Sequence, residues 1–418
     1  MITNQTNQPK PYFTLSKSII LEQYSKLQPI SDIISYSSKT NPLVTNILEN
    51  NTNSMFSVHL TNELKNIKDK SKIQFLAQAW NKDIIKSLID QNINWFVVDN
   101  LTDLNTFLDY IKENPINKNN SNKDTTNQES PSNKETTSKE TQNKKINLLL
   151  RLKLKENSLR TEKFFVFGIP STIINQKIQE IKNNEKLNNQ LNLGIHFHRK
   201  TQNMAEWNLE YEISNLFTKE TLSNITHLNI GGGLPSNYAN TNVKVIDSII
   251  NKIKQFKQYL NQNNIKLIIE PGRFIAAPAG KLHTTILAIH EGNIIVNASV
   301  YNSDLDALIV PVKLLVEGEY TKEEANKINQ ENSLQENTTP GNTVSENPSQ
   351  KNNIKEDNKI IKPYIIKGIT PCSMDLFRYR VYLNQQKPNQ QITFKNAGAY
   401  NFTTTFCDLE KIETKIIE

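Results

Sequence analysis

Between about Asp32 and Arg273 the sequence alternates short apolar runs with amphipathic stretches, and the runs end on polar, charged or glycine residues. The apolar runs are DIISYSSKT, SMFSV, IQFLAQ, WFVVDN, INLLLRLKL, LGIHFH, ITHLNIGGG and IKLIIEPGR, and they read as strands. NKDIIKSLIDQN and TNVKVIDSIINKIKQFKQYLNQ, among the segments between them, carry helical periodicity. Eight strand-like runs in β/α alternation over about 240 residues suit a TIM-like (β/α)8 barrel, an α/β fold. Periodicity alone equally permits a doubly wound sheet.

After Arg273 the texture changes. KLHTTILAIHEGNIIVNASVYN, KPYIIKGITPC, RYRVYL and QITFKNAGAYNF are strand-rich with no long helix, which predicts a separate C-terminal β domain, a β-barrel or β-sandwich. We therefore expect an N-terminal segment over 1–30 packing with the β domain through PYFTLSKSII, a barrel over 31–280 and the β domain over 281–418. Two stretches, 114–145 and 321–357, contain almost no apolar residue. Neither can bury enough apolar surface to offset its ordering entropy, so both are expected to be disordered insertions.

The net charge of +7 is spread along all 418 residues rather than gathered in blocks. Without a basic stripe or a nucleic-acid module, that charge predicts no nucleic-acid partner. Two cysteines, Cys372 and Cys407, are too few for a disulfide framework and lack metal-site spacing. The opening MITNQTNQPK has no apolar signal region, and no apolar run approaches the roughly 18–20 residues that span a bilayer. A cytoplasmic protein without membrane contact is the expectation.

In a parallel barrel the carboxyl ends of the strands form the active face, so chemistry is sought there. Lys39 ends the first run and, taken alone, reads as a surface charge. His198 ends GIHFH, where a structural histidine is the plain alternative. Gly231, Gly232 and Gly233 follow THLNI in a chain with only 12 glycines. Such a triplet implies positive φ or close approach of a ligand, and its amides can cradle a phosphate. A mobile turn is the alternative. Glu270, Gly272 and Arg273, in EPGR, suit a charged ligand or a simple ion pair. Their succession at consecutive strand ends carries more than any one of them.

These segments resemble the fold-type III pyridoxal-phosphate (PLP) decarboxylases, the ornithine and diaminopimelate decarboxylase family. The resemblance runs nearly end to end apart from the two polar insertions, and it implies the alanine racemase-like fold. YSSKTNP is similar to the family's Tyr-x-x-Lys-x-Asn segment, which implies that Lys39 is the Schiff-base lysine. GIHFHRKTQ resembles the His-x-His-x-Gly-Ser-Gln segment, implying that His198 stacks on the cofactor ring and Thr201 replaces the phosphate-binding serine. NIGGGLP resembles the phosphate loop, and EPGR the motif whose Glu270 contacts the pyridine nitrogen, with Gly272 and Arg273 beside the phosphate. NASVYNS resembles the segment with an active-site tyrosine, Tyr301. TPCSMD resembles the cysteine motif that enters a neighbouring subunit's site, and KNAGAYNF the motif of Tyr400, which reaches the cofactor.

The resemblance thus implies a homodimer with shared sites, acting on a small-molecule amino acid. Lys39 must be neutral to bind PLP, so burial and neighbouring charge should favour its deprotonated form. PLP would act as electron sink as CO2 leaves, and Cys372 is the candidate acid at Cα. Cys407 lacks such a context and is read as structural. Four features depart from the family. Lys200-Thr201 stands for Gly-Ser, Ser57 for an aspartate near the lysine, Ser373 for an acidic residue, and the Cys372–Asp375 interval is one residue short.

Asp304, Asp306 and Asp375 can meet a distal ammonium, while Arg378 or Arg380 can meet a second carboxylate. The reading favours ornithine or lysine, as in polyamine biosynthesis, with diaminopimelate as the alternative. Arginine and carboxynorspermidine are further candidates. A racemase of the same fold is disfavoured by Glu270, since alanine-type racemases place an arginine there. A single-barrel PLP carrier would lack the C-terminal domain. A non-catalytic homologue would be expected to lose the lysine, the glycine loop or the cysteine.

Overall fold

The computed structural model describes residues 9–115, 145–154, 167–337 and 360–418. Two compact units are present: 24–234 with 244–272, and 1–23 with 235–243 and 273–418. The chain opens on β1 (Tyr12–Ser16), which belongs to the second of these.

The first unit is a closed barrel of eight parallel strands paired in sequence order, so the barrel is borne out and the doubly wound sheet is excluded. Its strands are β2 (Ile33–Ser37), β3 (Met55–Val58), β4 (Ile73–Ala77), β5 (Trp95–Val98), β6 (Ile146–Arg151), β7 (Leu191–His196), β8 (His227–Asn229) and β9 (Lys266–Ile269), with β9 closing onto β2. Each of the eight apolar runs supplies one of them. Most of these strands are buried on both faces, as in the BBBB run that opens β4, which explains why they read as unbroken apolar runs rather than alternating ones. Phe56, Phe75, Phe96 and Phe256 are fully buried, each contributing roughly 1.5–3 kcal/mol by burial.

Asparagines set the helix starts after several strands. Asn41 Oδ1 accepts from the Leu43 amide (3.0 Å) and Pro42 occupies the first turn of helix Pro42–Asn51. That cap ends the short 3-10 turn Ser38–Thr40 and so fixes where Lys39 leaves the barrel. Asn81 and Asn100 cap the helices Lys82–Asp90 and Leu101–Glu113 in the same way.

The second unit is an eight-stranded mixed sheet. Its further strands are β10 (Gly280–His290), β11 (Asn293–Val296), β12 (Leu315–Val316), β13 (Ile361–Lys367), β14 (Leu376–Asn384), β15 (Gln391–Lys395) and β16 (Glu413–Ile417), in the order β12-β15-β10-β11-β13-β14. β1 pairs antiparallel with β10 and parallel with β16. Phe377 and Phe394 stack at 4.7 Å between centroids in its core.

The insertions need one correction. Lys322–Asn337 is a helix, although composition predicts no order across 321–357. The helix starts with a reciprocal cap: Thr321 Oγ1 accepts from the Glu324 amide (3.1 Å) and Glu324 from the Thr321 amide (2.7 Å). Asn329 then exchanges two hydrogen bonds with the Ile361 backbone, and Ala325 is buried, so a polar helix is held by its ends and by the start of β13. The rest of both expected insertions, 116–144 and 338–357, lies outside the described residues.

Candidate active site

The carboxyl ends of the barrel strands bring together Lys39, His59, His196, His198, the glycine loop and Glu270 in one unit. Ser37 pairs with Ser57 across β2 and β3, so Lys39 and His59 each stand two residues beyond that rung. His196 is paired with Arg151 on one side and Asn229 on the other.

Glu270 is the buried centre. Its carboxylate accepts from Gln74 Nε2, from Asn229 Nδ2 at 2.8 Å, and meets His196 Nε2 at 3.5 Å. Burial by itself would raise its pKa. The opposing attraction of His196, with His198 and His59 behind it, outweighs burial and holds the carboxyl far below the usual carboxylate range.

The glycine loop lies against both neighbours. Gly231 has φ +66°, and a Cβ there would approach the Phe197 carbonyl at 2.5 Å and His198 Nδ1 at 2.9 Å. Gly233 has φ +96° and lies under the Lys200 carbonyl. The loop is therefore bare backbone by necessity, a cradle that any side chain would fill. The Gly232 amide donates to His198 Nδ1 (3.2 Å), which sets the ring's orientation and identifies Nδ1 as the acceptor. Thr201 is half-buried in the turn that follows. Gly272 serves packing: a Cβ there would strike the Thr40 hydroxyl beside Lys39.

Lys39 departs from the expectation of burial. Its side chain is exposed, and its amine makes no hydrogen bond or ion pair among the described residues. It lies in the short turn Ser38–Thr40 that joins β2 to the Asn41-capped helix, at the barrel rim. Lys39 and Arg151 are among the charges that depress the neighbouring histidines, after the surrounding protein itself. His59 is lowered to about 4 and His198 to about 3. Solvent reaches the His198 ring, yet the concave rim around it still disfavours the imidazolium. Ser57, where an aspartate was the family's pattern, is fully buried and bonds Ser35 at 2.9 Å.

These histidines give the pH dependence a sign. Their folded-state values lie below the unfolded value of about 6.5, so the unfolded chain takes up protons first. Their stabilisation is complete above about pH 6.5 and declines as the pH falls towards about 4. Glu270, also depressed, acts in the same sense at lower pH. The buried Asp304 carboxyl, raised to about 7, acts in the opposite sense, so the test uses an Asp304→Asn background: there we expect the urea midpoint to fall from pH 7 to pH 4, with His59 contributing at most about 3 kcal/mol. A flat midpoint over that range would contradict the neutral assignment.

In the second unit the predicted residues form two groups. Arg273, expected at a phosphate, instead forms a buried ion pair with Asp306 and donates to the Tyr238 hydroxyl (3.0 Å). Its guanidinium also lies 5.1 Å from the Tyr400 ring centroid. In this structure the carboxylate paired with Arg273 is that of Asp306. Asp304 is buried beside it, with Oδ2 unpartnered among the described residues. Burial first, then Asp306, pushes its carboxyl up to about 7.

The second group joins Tyr301, Cys372 and Phe406. The Tyr301 hydroxyl lies 3.2 Å from Cys372 Sγ, and its ring stacks on Phe406 at 4.0 Å. That hydrogen bond pushes Tyr301 up to about 12 and lowers the Cys372 thiol. Cys407, read as structural, is exposed with φ +51°, because it sits in a tight turn rather than the core. Asp375 also needs correction as a substrate ligand. It is fully buried, and its two oxygens accept from the amides of Val300 (2.9 Å) and Thr370 (3.0 Å) and from the Thr370 hydroxyl (2.7 Å). It anchors two loops, and Gly368 is bare where it lies.

Gln74, Asn229, His196, His59 and the Arg151–Asp99 pair (2.9 Å) were missed by sequence reasoning. Gln74 and Asn229 left a signal, being buried polar residues inside apolar runs.

A reactive lysine, a buried anion, an oriented aromatic ring and a glycine cradle fit PLP, and a closed parallel barrel with a separate mixed sheet is the alanine racemase-like fold. The class these define is a PLP-dependent amino-acid decarboxylase. The family described as pyridoxal-dependent decarboxylase, pyridoxal binding domain, matches residues 35–277, and the chain belongs to it. No curated protein sequence matches the chain. Among solved structures, it is similar to a lysine/ornithine decarboxylase of Vibrio vulnificus complexed with putrescine, at 19% identity, TM-score 0.67, covering 98% of this chain and 94% of that one. It is likewise similar to the diaminopimelate decarboxylase of Helicobacter pylori (17%, TM-score 0.66, 99% and 92%). A third is the arginine decarboxylase of Paramecium bursaria Chlorella virus bound to agmatine (16%, 0.66, 99% and 97%). Among the described residues, no helix is long and apolar enough to cross a membrane.

Proposed function

We propose that the chain decarboxylates a basic amino acid carrying a distal ammonium, ornithine or lysine, giving a diamine that can feed polyamine biosynthesis. The observation that carries this reading is the state of the ionic side chains near Tyr301 and Cys372. Arg378, one of two arginines considered for a second carboxylate, is buried against Glu319 (2.9 Å) and the Leu314 carbonyl (2.6 Å). Of the three acids considered, Asp304 keeps an unpartnered carboxylate oxygen, while Asp306 and Asp375 are engaged. Burial holds that carboxyl at about 7, and an ammonium brought beside it would stabilise its charged form and pair with it. Arg380, exposed on β14, keeps diaminopimelate as the second reading.

When bound, PLP supplies a ring that takes up the electron pair left by departing CO2. Lys39 would hold the cofactor through Nζ. Glu270, kept anionic, would hold a proton at the pyridine nitrogen. His198, oriented by the Gly232 amide, would pack against the ring, and the amides of Gly231–Gly233 with Thr201 would receive the phosphate. Cys372, made more acidic by Tyr301, delivers a proton to Cα of the product.

Met374 and Tyr379, which follow Cys372 in sequence, and Phe406, stacked on the Tyr301 ring whose hydroxyl meets Cys372, are exposed apolar side chains, which supports a homodimer sharing its sites. Under that reading, mixing Lys39→Ala with Cys372→Ala subunits regenerates activity in heterodimers. No recovery despite subunit exchange would remove the shared site. The substrate is tested by CO2 release from PLP-loaded protein with ornithine, lysine, arginine, diaminopimelate and carboxynorspermidine. Release from diaminopimelate but from neither ornithine nor lysine would replace the first reading by the second.

A further inference from the structure

Asn229 touches both halves of the cradle. Its side-chain oxygen accepts from the Gly231 amide (2.8 Å), and this contact fixes which end of the amide is oxygen, since a backbone N–H can only donate. Its Nδ2 therefore faces the opposite way, donating to Glu270 Oε1 (2.8 Å) and to Gln74 Oε1 (3.1 Å). Gln74 in turn donates to the same Glu270 oxygen. The Glu270 amide closes the circuit by donating to the Gly231 carbonyl (2.8 Å). Asn229, Gln74 and Glu270 are all buried in the barrel, where unmade hydrogen bonds are costly.

We propose that Asn229 is the positioning residue that ties the phosphate loop to the ring-nitrogen carboxylate, so that one side chain sets both ends of the cofactor site. This rests on the reading that Glu270 and the Gly231–Gly233 loop hold PLP. The physical need is evident from the spacing of the two elements. The loop follows β8 and the carboxylate follows β9, and the separation between an anion cradle and an acid must match a rigid ligand to a fraction of an ångström. Asn229 bonds to both across that gap, whereas Gln74 bonds to Glu270 and to Asn229 itself but not to the loop. Other charged or titratable groups facing Glu270 are His196 from β7, His198 after it and His59 after β3; none of these accepts from Gly231.

The two arms of Asn229 are separable by substitution. Asn229→Asp keeps an acceptor for the Gly231 amide but sets a second carboxylate against Glu270, and two such groups share a proton. Asn229→Leu removes both arms, and Gln74→Leu removes one donor to Glu270 and one acceptor of Asn229 while leaving the Asn229 contacts to Gly231 and Glu270.

Fluorescence titration of apo-protein with PLP reads affinity, and the pH dependence of the bound cofactor's visible absorption reads Glu270. Asn229→Leu is expected to raise the PLP dissociation constant at least about tenfold and to shift the spectral pH profile. Asn229→Asp and Gln74→Leu are expected to shift the profile while affinity stays within about threefold. Asn229→Leu folded by circular dichroism with wild-type affinity and profile would overturn the proposal. Should that variant not fold, Asn229→Ser replaces it, with the same expected directions and the same overturning result. Glu270→Gln distinguishes the underlying reading: an unchanged profile there would mean that Glu270 does not act on the cofactor, whatever Asn229 does.

Discussion

Lys39→Ala is expected to abolish covalent retention of PLP and to lower kcat by at least about a thousandfold, equivalent to roughly 4 kcal/mol of barrier. No carboxylate pairs with Lys39 among the described residues, and the lysine lies close enough to His59 and His198 to depress both. An amine so placed is available to a carbonyl. Mass spectrometry after borohydride reduction reads attachment directly, independent of turnover. The Glu270 cluster and the glycine loop are untouched by the change, so the variant should still bind PLP non-covalently. Equal cofactor retention through a different lysine would end the assignment of Lys39.

Asp306→Ala is expected to cost about 3–5 kcal/mol of stability, because it removes the carboxylate paired with the buried Arg273 guanidinium, which also donates to the Tyr238 hydroxyl. Both members of the pair are about 95% buried, so water cannot take the place of the lost carboxylate. Removing both charges together, as in Arg273→Met with Asp306→Leu, should recover most of the loss, since an apolar pair of similar volume avoids the desolvation penalty. Urea midpoints of the single and double variants test this. A single-variant loss under about 1 kcal/mol would show that the pair is solvated. The same experiment bears on Asp304, whose raised carboxyl depends partly on Asp306. Without Asp306, Asp304 should ionise at lower pH and take over part of the pairing with Arg273.

The barrel was readable because each strand is buried on both faces, and the eight apolar runs became β2 to β9 in order. The strand-end rule then pointed at Lys39, His198, the glycine triplet and Glu270, which the barrel gathers on one rim. Local chemistry explains this success: helix caps such as Asn41 and the bare backbone at Gly231 are short-range features, written in consecutive residues. The polar insertion 321–357 was misjudged for a related reason. Its reciprocal Thr321–Glu324 cap is local, but the bonds from Asn329 to Ile361 join residues 32 apart, and composition carries no trace of them.

The residues whose surroundings the sequence did not show mostly depend on partners far along the chain. Gln74 meets Glu270 across 196 positions, Asn229 meets Gln74 across 155, and Asp375 meets Val300 across 75. Arg273 looked available for a phosphate until Asp306 was seen beside it. Lys39 looked like a residue in need of burial, and the fold leaves it exposed at the barrel rim. Strand order, helix starts and the identity of the reactive groups follow from residues near one another in sequence, because hydrophobic periodicity and capping act over a few positions. Which carboxylate is engaged, which arginine is neutralised and what holds Glu270 follow from packing, because a buried charge is defined by whatever the fold brings against it.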